Sequence, residues 1–166
     1  MSEHLDTINK ALTEHHEIRE TVRLTGDSVT DVEALFVLRN AYTGWVQGNV
    51  QDLPARQGQL LHTLESVKNG LKRHWGFEEK AIEPLLGEPL MKAFLYEHGE
   101  IVRQIDNAIK VLTGTKLDGM ERQELLGKKA MIQDAINRAL QSIDEHSNHE
   151  DLIFKMIKKA LDVPST

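Results

Sequence analysis

Apolar residues recur at alternating spacings of three and four along almost the whole chain, the mark of helices that each bury one stripe. The first stripe is Leu5, Ile8, Leu12, His15, Ile18 and Val22, ending near Thr25-Gly26-Asp27. A shorter helix is predicted from about Thr30 to Val46, with Val32, Leu35, Phe36, Leu38, Tyr42 and Trp45. Pro54 suits the first turn of the next helix, whose stripe is Leu60, Leu64, Val67, Leu71, His74, Glu78, Ile82 and Leu85. Gly87 and Pro89 break the chain before a stripe of Met91, Phe94, His98, Ile101, Ile105, Ala108 and Leu112, which closes at Thr113-Gly114. The last helix begins near Asp118 and carries Ile132, Ile136, Ala139, Ile143, His146, Glu150, Ile153 and Ile157. Sustained period-2 alternation is missing, so no strand is predicted. The pattern predicts an all-α fold: an up-down-up-down four-helix bundle with one additional inserted helix. Residues 1–166 form one domain in this reading, with the helical insertion at about 27–53.

Two stripes change character in the same way. His74 and Glu78 stand where apolar core residues are due, and so do His146 and Glu150. Residues four apart on a helix point the same way, one turn above each other. A fainter repeat accompanies them. Glu14-His15-His16-Glu17-Ile18 is matched by Glu97-His98-Gly99-Glu100-Ile101, and each precedes a His-x3-Glu pair on the following long helix. In an up-down bundle His15, His74 and His98 fall within roughly 6 Å of one height at 1.5 Å per residue. His146 joins them if the last helix overhangs by about a turn. One histidine on an apolar face is more often a hydrogen-bonded core residue than a ligand. Four at one level, with two carboxylates, point instead to a buried metal centre, because uncompensated carboxylates are costly among leucines. His4 and His62 lie away from that level and are expected on the surface, His16 in solvent, and His149 at the rim of the site. Glu79 and Asp151 each follow a proposed ligand by one residue, which ordinarily places a side chain on a solvated face.

Bulk properties narrow the chemistry. The chain has 166 residues, enough for one domain with a real core. The formal net charge of -6 comes without a dense basic tract, so nucleic acid is not an expected partner. No apolar run approaches the roughly 18 residues of a membrane span. The opening stretch MSEHLDTINKALTEHH lacks a basic-then-apolar signal pattern, and a cytoplasmic location is expected. Cysteine is absent, which removes thiolate sites and leaves His, Asp and Glu as ligands.

With these residues in view, the chain resembles the hemerythrin-like (HHE cation-binding) family over nearly its whole length. The strongest match is His74-Trp75-Gly76-Phe77-Glu78-Glu79 with its closing Pro84. His15, His98 and His146 match the ligands of the first, third and fourth core helices. The resemblance implies two non-haem iron ions joined by an oxo or hydroxo group, with Glu78 and a fourth-helix carboxylate bridging them. That carboxylate is Glu150 if the spacing is His-x3-Glu and Asp151 if it is His-x4-Asp. The heptad position favours Glu150. The metal-site residues expected are therefore His15, His74, Glu78, His98, His146 and Glu150 or Asp151. The chain departs from the oxygen carriers at Val102, where they have a second third-helix histidine. The missing nitrogen ligand leaves an additional open position, which favours redox turnover or metal exchange over reversible oxygen carriage. The function expected is a di-iron protein that responds to or reacts with O2, peroxide, NO or iron itself. The alternatives are a di-iron oxidoreductase consuming peroxide or NO, an O2 carrier, and a metal-free helical interaction protein using Tyr42 and Trp45. No catalytic residue is assigned.

Overall fold

The computed structural model describes residues 4–9 and 30–162, and every described regular element is helical. Helix α1 is Asp31–Gln47. A short 3-10 turn, Val50–Asp52, leads into the long helical segment Leu53–Thr113. Gly87 interrupts that segment with φ 71° and ψ 167°, dividing it into α2 (53–86) and α3 (88–113). Helix α4 is Arg122–Asp162. Residues 4–9 are also helical. The expected ligand His15 lies outside the described residues, as does most of the first predicted stripe.

Local signals account for most of these boundaries. Thr30 caps α1: its hydroxyl accepts from the Glu33 backbone N–H at 3.3 Å, and Glu33 Oε2 accepts from Thr30 N–H at 3.2 Å. This reciprocal capping box sets the helix start to the residue. Pro54 sits in the first turn of α2. Pro89 similarly falls at the start of α3, where a missing N–H removes no helical bond. Helix α4 begins later than the stripe suggests, because Asp118-Gly119 forms a turn with Gly119 at φ 74°.

Cross-helix contacts give the directions of packing. Gln57 Nε2 donates to Leu112 O at 2.6 Å, Lys68 Nζ to Asp106 Oδ1 at 2.9 Å, and Glu79 meets His98. Numbers rise on α2 as they fall on α3, so these arms run antiparallel. The same holds for α1 and α4, where Lys129 Nζ donates to Val46 O at 2.9 Å, Asn137 Nδ2 to Tyr42 Oη at 2.9 Å, and Arg39 to Asp144 at 3.4 Å. Exposed ion pairs of this kind add at most about 1 kcal/mol each. The helices are held by what they bury.

The buried apolar residues fall into two clusters. The larger includes Leu38, Trp45, Leu64, Leu71, Ile101, Ile105, Ile136 and Ile143. The helix expected as an insertion is part of it, through Ala34, Leu35, Leu38 and Trp45. The smaller cluster, near Gly87, joins Ile8, Ile82, Leu86, Met91, Phe94 and Phe154. Two stripe positions shift here. Phe154 rather than Ile153 or Ile157 is fully enclosed, and Leu86 lies deeper than Leu85. Between Leu71 and Ile82, Phe94 and Ile101, and Ile143 and Phe154, the core is polar. That layer is where the histidines lie.

Candidate metal centre

Four helices each present side chains to this layer. Helix α2 presents His74 and Glu78 one turn apart, with Nε2 and Oε2 separated by 3.7 Å. Helix α3 presents His98, and α4 presents His146 and Glu150. Helix α1 adds Asp31 from its capped first turn, with no exposed surface. One ligand atom from each of Asp31, His74, Glu78 and Glu150 lies within 4.8 Å of the others. Beside this group, His98 Nε2 and His146 Nε2 are 3.0 Å apart. His146 Nε2 is also 3.6 Å from Asp31 Oδ2. Two donor groups, one rich in carboxylate and one in imidazole, thus adjoin at Asp31.

The far sides of two imidazoles are held by carboxylates. Glu79 Oε1 lies 2.9 Å from His98 Nδ1, and Glu97 Oε2 lies 2.7 Å from His146 Nδ1. An ionised carboxylate only accepts, so each Nδ1–H donates to its carboxylate; the two Nε2 lone pairs then face each other at 3.0 Å, a contact that a proton on one ring or a cation between them relieves. This carboxylate–histidine arrangement recurs behind metal-bound imidazoles, where it fixes the ring and raises its basicity. Glu97 also reaches outward, its Oε1 2.6 Å from Nδ1 of the exposed His149. Trp75 closes the layer on the larger core side. Its ring stacks on His98 at 4.3 Å with an interplanar angle of 8°, and its indole N–H donates to Asp31 Oδ1 at 3.0 Å. Phe94 meets His146 edge-on from the opposite side, at 5.4 Å.

Burial strains the protonation of these groups. Burial pushes the Asp31 carboxyl up, but nearby His146, Glu150, His74 and His98 together outweigh it and hold the value at about 2. Glu150 is driven well above the usual carboxylate range by burial first, then by the charges of Asp31 and Glu78. His98 falls to about 3, chiefly through burial and then through His146, with Asp31 opposing. Among the described residues, Asp31 Oδ2, His74 Nε2 and Glu78 Oε2 are enclosed with no hydrogen-bond partner beyond the Glu150 carboxyl, whose single proton cannot serve both Asp31 and Glu78. Each such atom ordinarily costs about 1–3 kcal/mol. A cation among them would satisfy all three at once. Imidazole nitrogen with carboxylate oxygen is a donor set suited to iron, manganese or zinc.

Of the residues singled out from the sequence, His74, Glu78, His98, His146 and Glu150 meet in this layer. Asp151 does not. It sits about 100° further round α4 and pairs with Lys155 at 2.6 Å, leaving Glu150 as the inward carboxylate. His149 is at the rim, and His4 and His62 are exposed. Val102 is partly buried against the larger core. Glu79, expected on a solvated face, instead holds His98. Asp31 and Glu97 belong to the site without having been singled out as ligand or support. The Thr30-Asp31-Val32-Glu33 capping pattern marks Asp31 as a first-turn residue, but no spacing rule says which neighbour that turn meets. Comparison with protein-family models, curated proteins and solved structures finds no match.

Proposed function

We propose that this chain is a non-haem di-iron protein of hemerythrin-like type, an up-down-up-down bundle that responds to or reacts with O2, peroxide, NO or iron itself. One observation carries the reading: three imidazole Nε2 atoms and three carboxylates converge in one buried layer, and two of the imidazoles are braced from behind by Glu79 and Glu97. An apolar core without a cation has no use for such a layer. In this reading His74, Glu78, Glu150 and Asp31 would hold one ion, and His98 and His146 would serve the other. Bound iron would supply reversible one-electron chemistry toward small oxygen or nitrogen species. The chain's own residues direct the imidazole Nε2 atoms inward, raise the proton affinity of Glu150 in the absence of a cation, and pack the His98 and His146 rings against Trp75 and Phe94.

Turnover is the second reading, favoured by the Glu97 contact to both His146 and exposed His149. That chain of hydrogen bonds links the layer to the surface, which a closed storage site does not need. Reconstitution with Fe(II) under argon, followed by metal analysis and an absorption spectrum, tests the binding. Two irons per chain are expected, and His74→Ala and Glu78→Ala should each lose at least one. Peroxide added to the loaded protein separates the two readings: sustained consumption marks an enzyme, a single stoichiometric change marks a sensor or store.

A further inference from the structure

Helix α1 arrives at the metal layer by its capped N-terminus, and the residue it delivers is Asp31. Resting on the di-iron reading, we propose that Asp31 is a ligand shared by both metal positions, and that through it metal occupancy fixes the first turn of α1. Three observations meet on this carboxylate. It belongs to the cluster with His74, Glu78 and Glu150, while its Oδ2 is also 3.6 Å from His146 Nε2 in the neighbouring imidazole pair. That Oδ2 is fully enclosed and, among the described residues, receives no N–H; the carboxyl of Glu150 is the hydrogen-bonding group set against this carboxylate. The other oxygen is occupied by the Trp75 indole N–H at 3.0 Å, which orients the carboxylate so that Oδ2 faces the donors. One oxygen is thus anchored by an N–H, and the other shares with Glu150 a proton that an arriving cation would displace.

The position of Asp31 supplies what α3 lacks. A metal served by His98 and His146 has Val102, not a nitrogen donor, one turn beyond His98. The Asp31 carboxylate approaches the same imidazole pair from α1 instead. A hard oxygen ligand in place of a nitrogen suits Fe(II), Mn(II) and other borderline or hard divalent ions better than soft ones. The coupling to α1 follows from the capping box. Thr30 and Glu33 bond each other across Asp31, so a cation that holds the Asp31 side chain also holds the cap. The rest of α1 is anchored separately by Leu38 and Trp45 in the larger core, so metal loss should loosen the first turn and not detach the helix.

The test compares wild type with Asp31→Asn by anaerobic Fe(II) titration, reading stoichiometry and affinity. Asparagine keeps an acceptor for Trp75 and removes one charge from a crowded carboxylate group, so the metal-free variant should fold. The variant is expected to retain one tightly held iron and to bind the second at least about 100-fold more weakly, since losing a mere outer-shell partner already costs up to about 100-fold and Asp31 is a direct ligand. Two irons bound with wild-type affinity would overturn the proposal while leaving the di-iron reading standing. A wild type that takes up fewer than two irons would overturn both. Hydrogen exchange of wild type gives an arm independent of the variant's folding. Fe(II) should slow exchange of amides in residues 31–38 by about tenfold or more, and amides at 40–47 far less. Unchanged exchange at 31–38 in the iron-loaded protein would also overturn the proposal.

Discussion

Glu97 does two jobs with two oxygens, one on His146 and one on His149. Replacing it by Gln leaves a similar shape but swaps one acceptor for a donor, so the imidazole loses its brace or turns its tautomer. Iron affinity of Glu97→Gln should fall about 10–100-fold with little change in melting temperature of the metal-free protein. Titration with Fe(II) beside a thermal melt checks both halves. Protonation gives a second prediction. His98 is depressed to about 3 from its ordinary 6.5, so below 6.5 the unfolded chain takes up a proton that the folded chain refuses. The stability contributed by its neutral form is present above pH 6.5 and is lost as pH falls toward 3. Glu150 acts in the opposite sense, since its raised value means a contribution lost as pH climbs above the usual 4.5 and through the folded value. Between pH 4.5 and 6.5 the two slopes oppose each other, so melting temperature of the metal-free protein should rise with pH below 4.5, level off to 6.5 and fall above it. A profile flat from pH 4 to 8 would contradict both shifts. The inward histidines and Glu78 were legible from their spacing, because a stripe position on one helix is decided by that helix alone. Glu79, Glu97 and Asp31 were not, because their roles depend on what another helix brings within 3 Å.

At the scale of elements, the turn at Gly87 joins α2 to α3 through one non-helical residue at φ 71° and ψ 167°. Almost only glycine adopts this conformation, at a cost of about 1–3 kcal/mol for other residues. A Cβ at Gly87 would meet nothing within 4 Å, so the cost of Gly87→Ala is backbone strain alone. Denaturant melts should show a loss of about 1–3 kcal/mol, and an unchanged midpoint would contradict the assigned backbone geometry. Gly87 and Pro89 announced this break in the sequence, as the Thr30 and Glu33 pair announced the start of α1. The place of α1 in the packing was hidden for a physical reason. An amphipathic stripe such as Leu35, Leu38 and Trp45 says that a face is buried, not which helices cover it. Here α2 and α4 cover it, and the helix expected as an insertion becomes a wall of the site. The Phe154 shift has a similar origin. Residues 146, 150 and 154 stack turn on turn, so the bulkiest apolar side chain follows Glu150 into the smaller core.

Across the whole molecule, two apolar clusters are separated by a layer of buried imidazoles and carboxylates. Such a layer weakens a bundle that has nothing to neutralise it and strengthens one that does. No described helix is long and apolar enough to cross a membrane. The helical class and the meeting of His74, His98 and His146 in one layer could be read from the chain, because both follow from periodicity and rise per residue. The convergence of separate helices on one small volume is a property of the folded chain only. The most direct measurement is iron per chain after anaerobic Fe(II) reconstitution, with melting temperature recorded before and after removal of metal by a chelator. Two irons per chain are predicted, with free iron at about 100 times its dissociation constant stabilising the fold by about 2.7 kcal/mol per site. Iron near zero with a melting temperature indifferent to chelator would contradict the account at its centre.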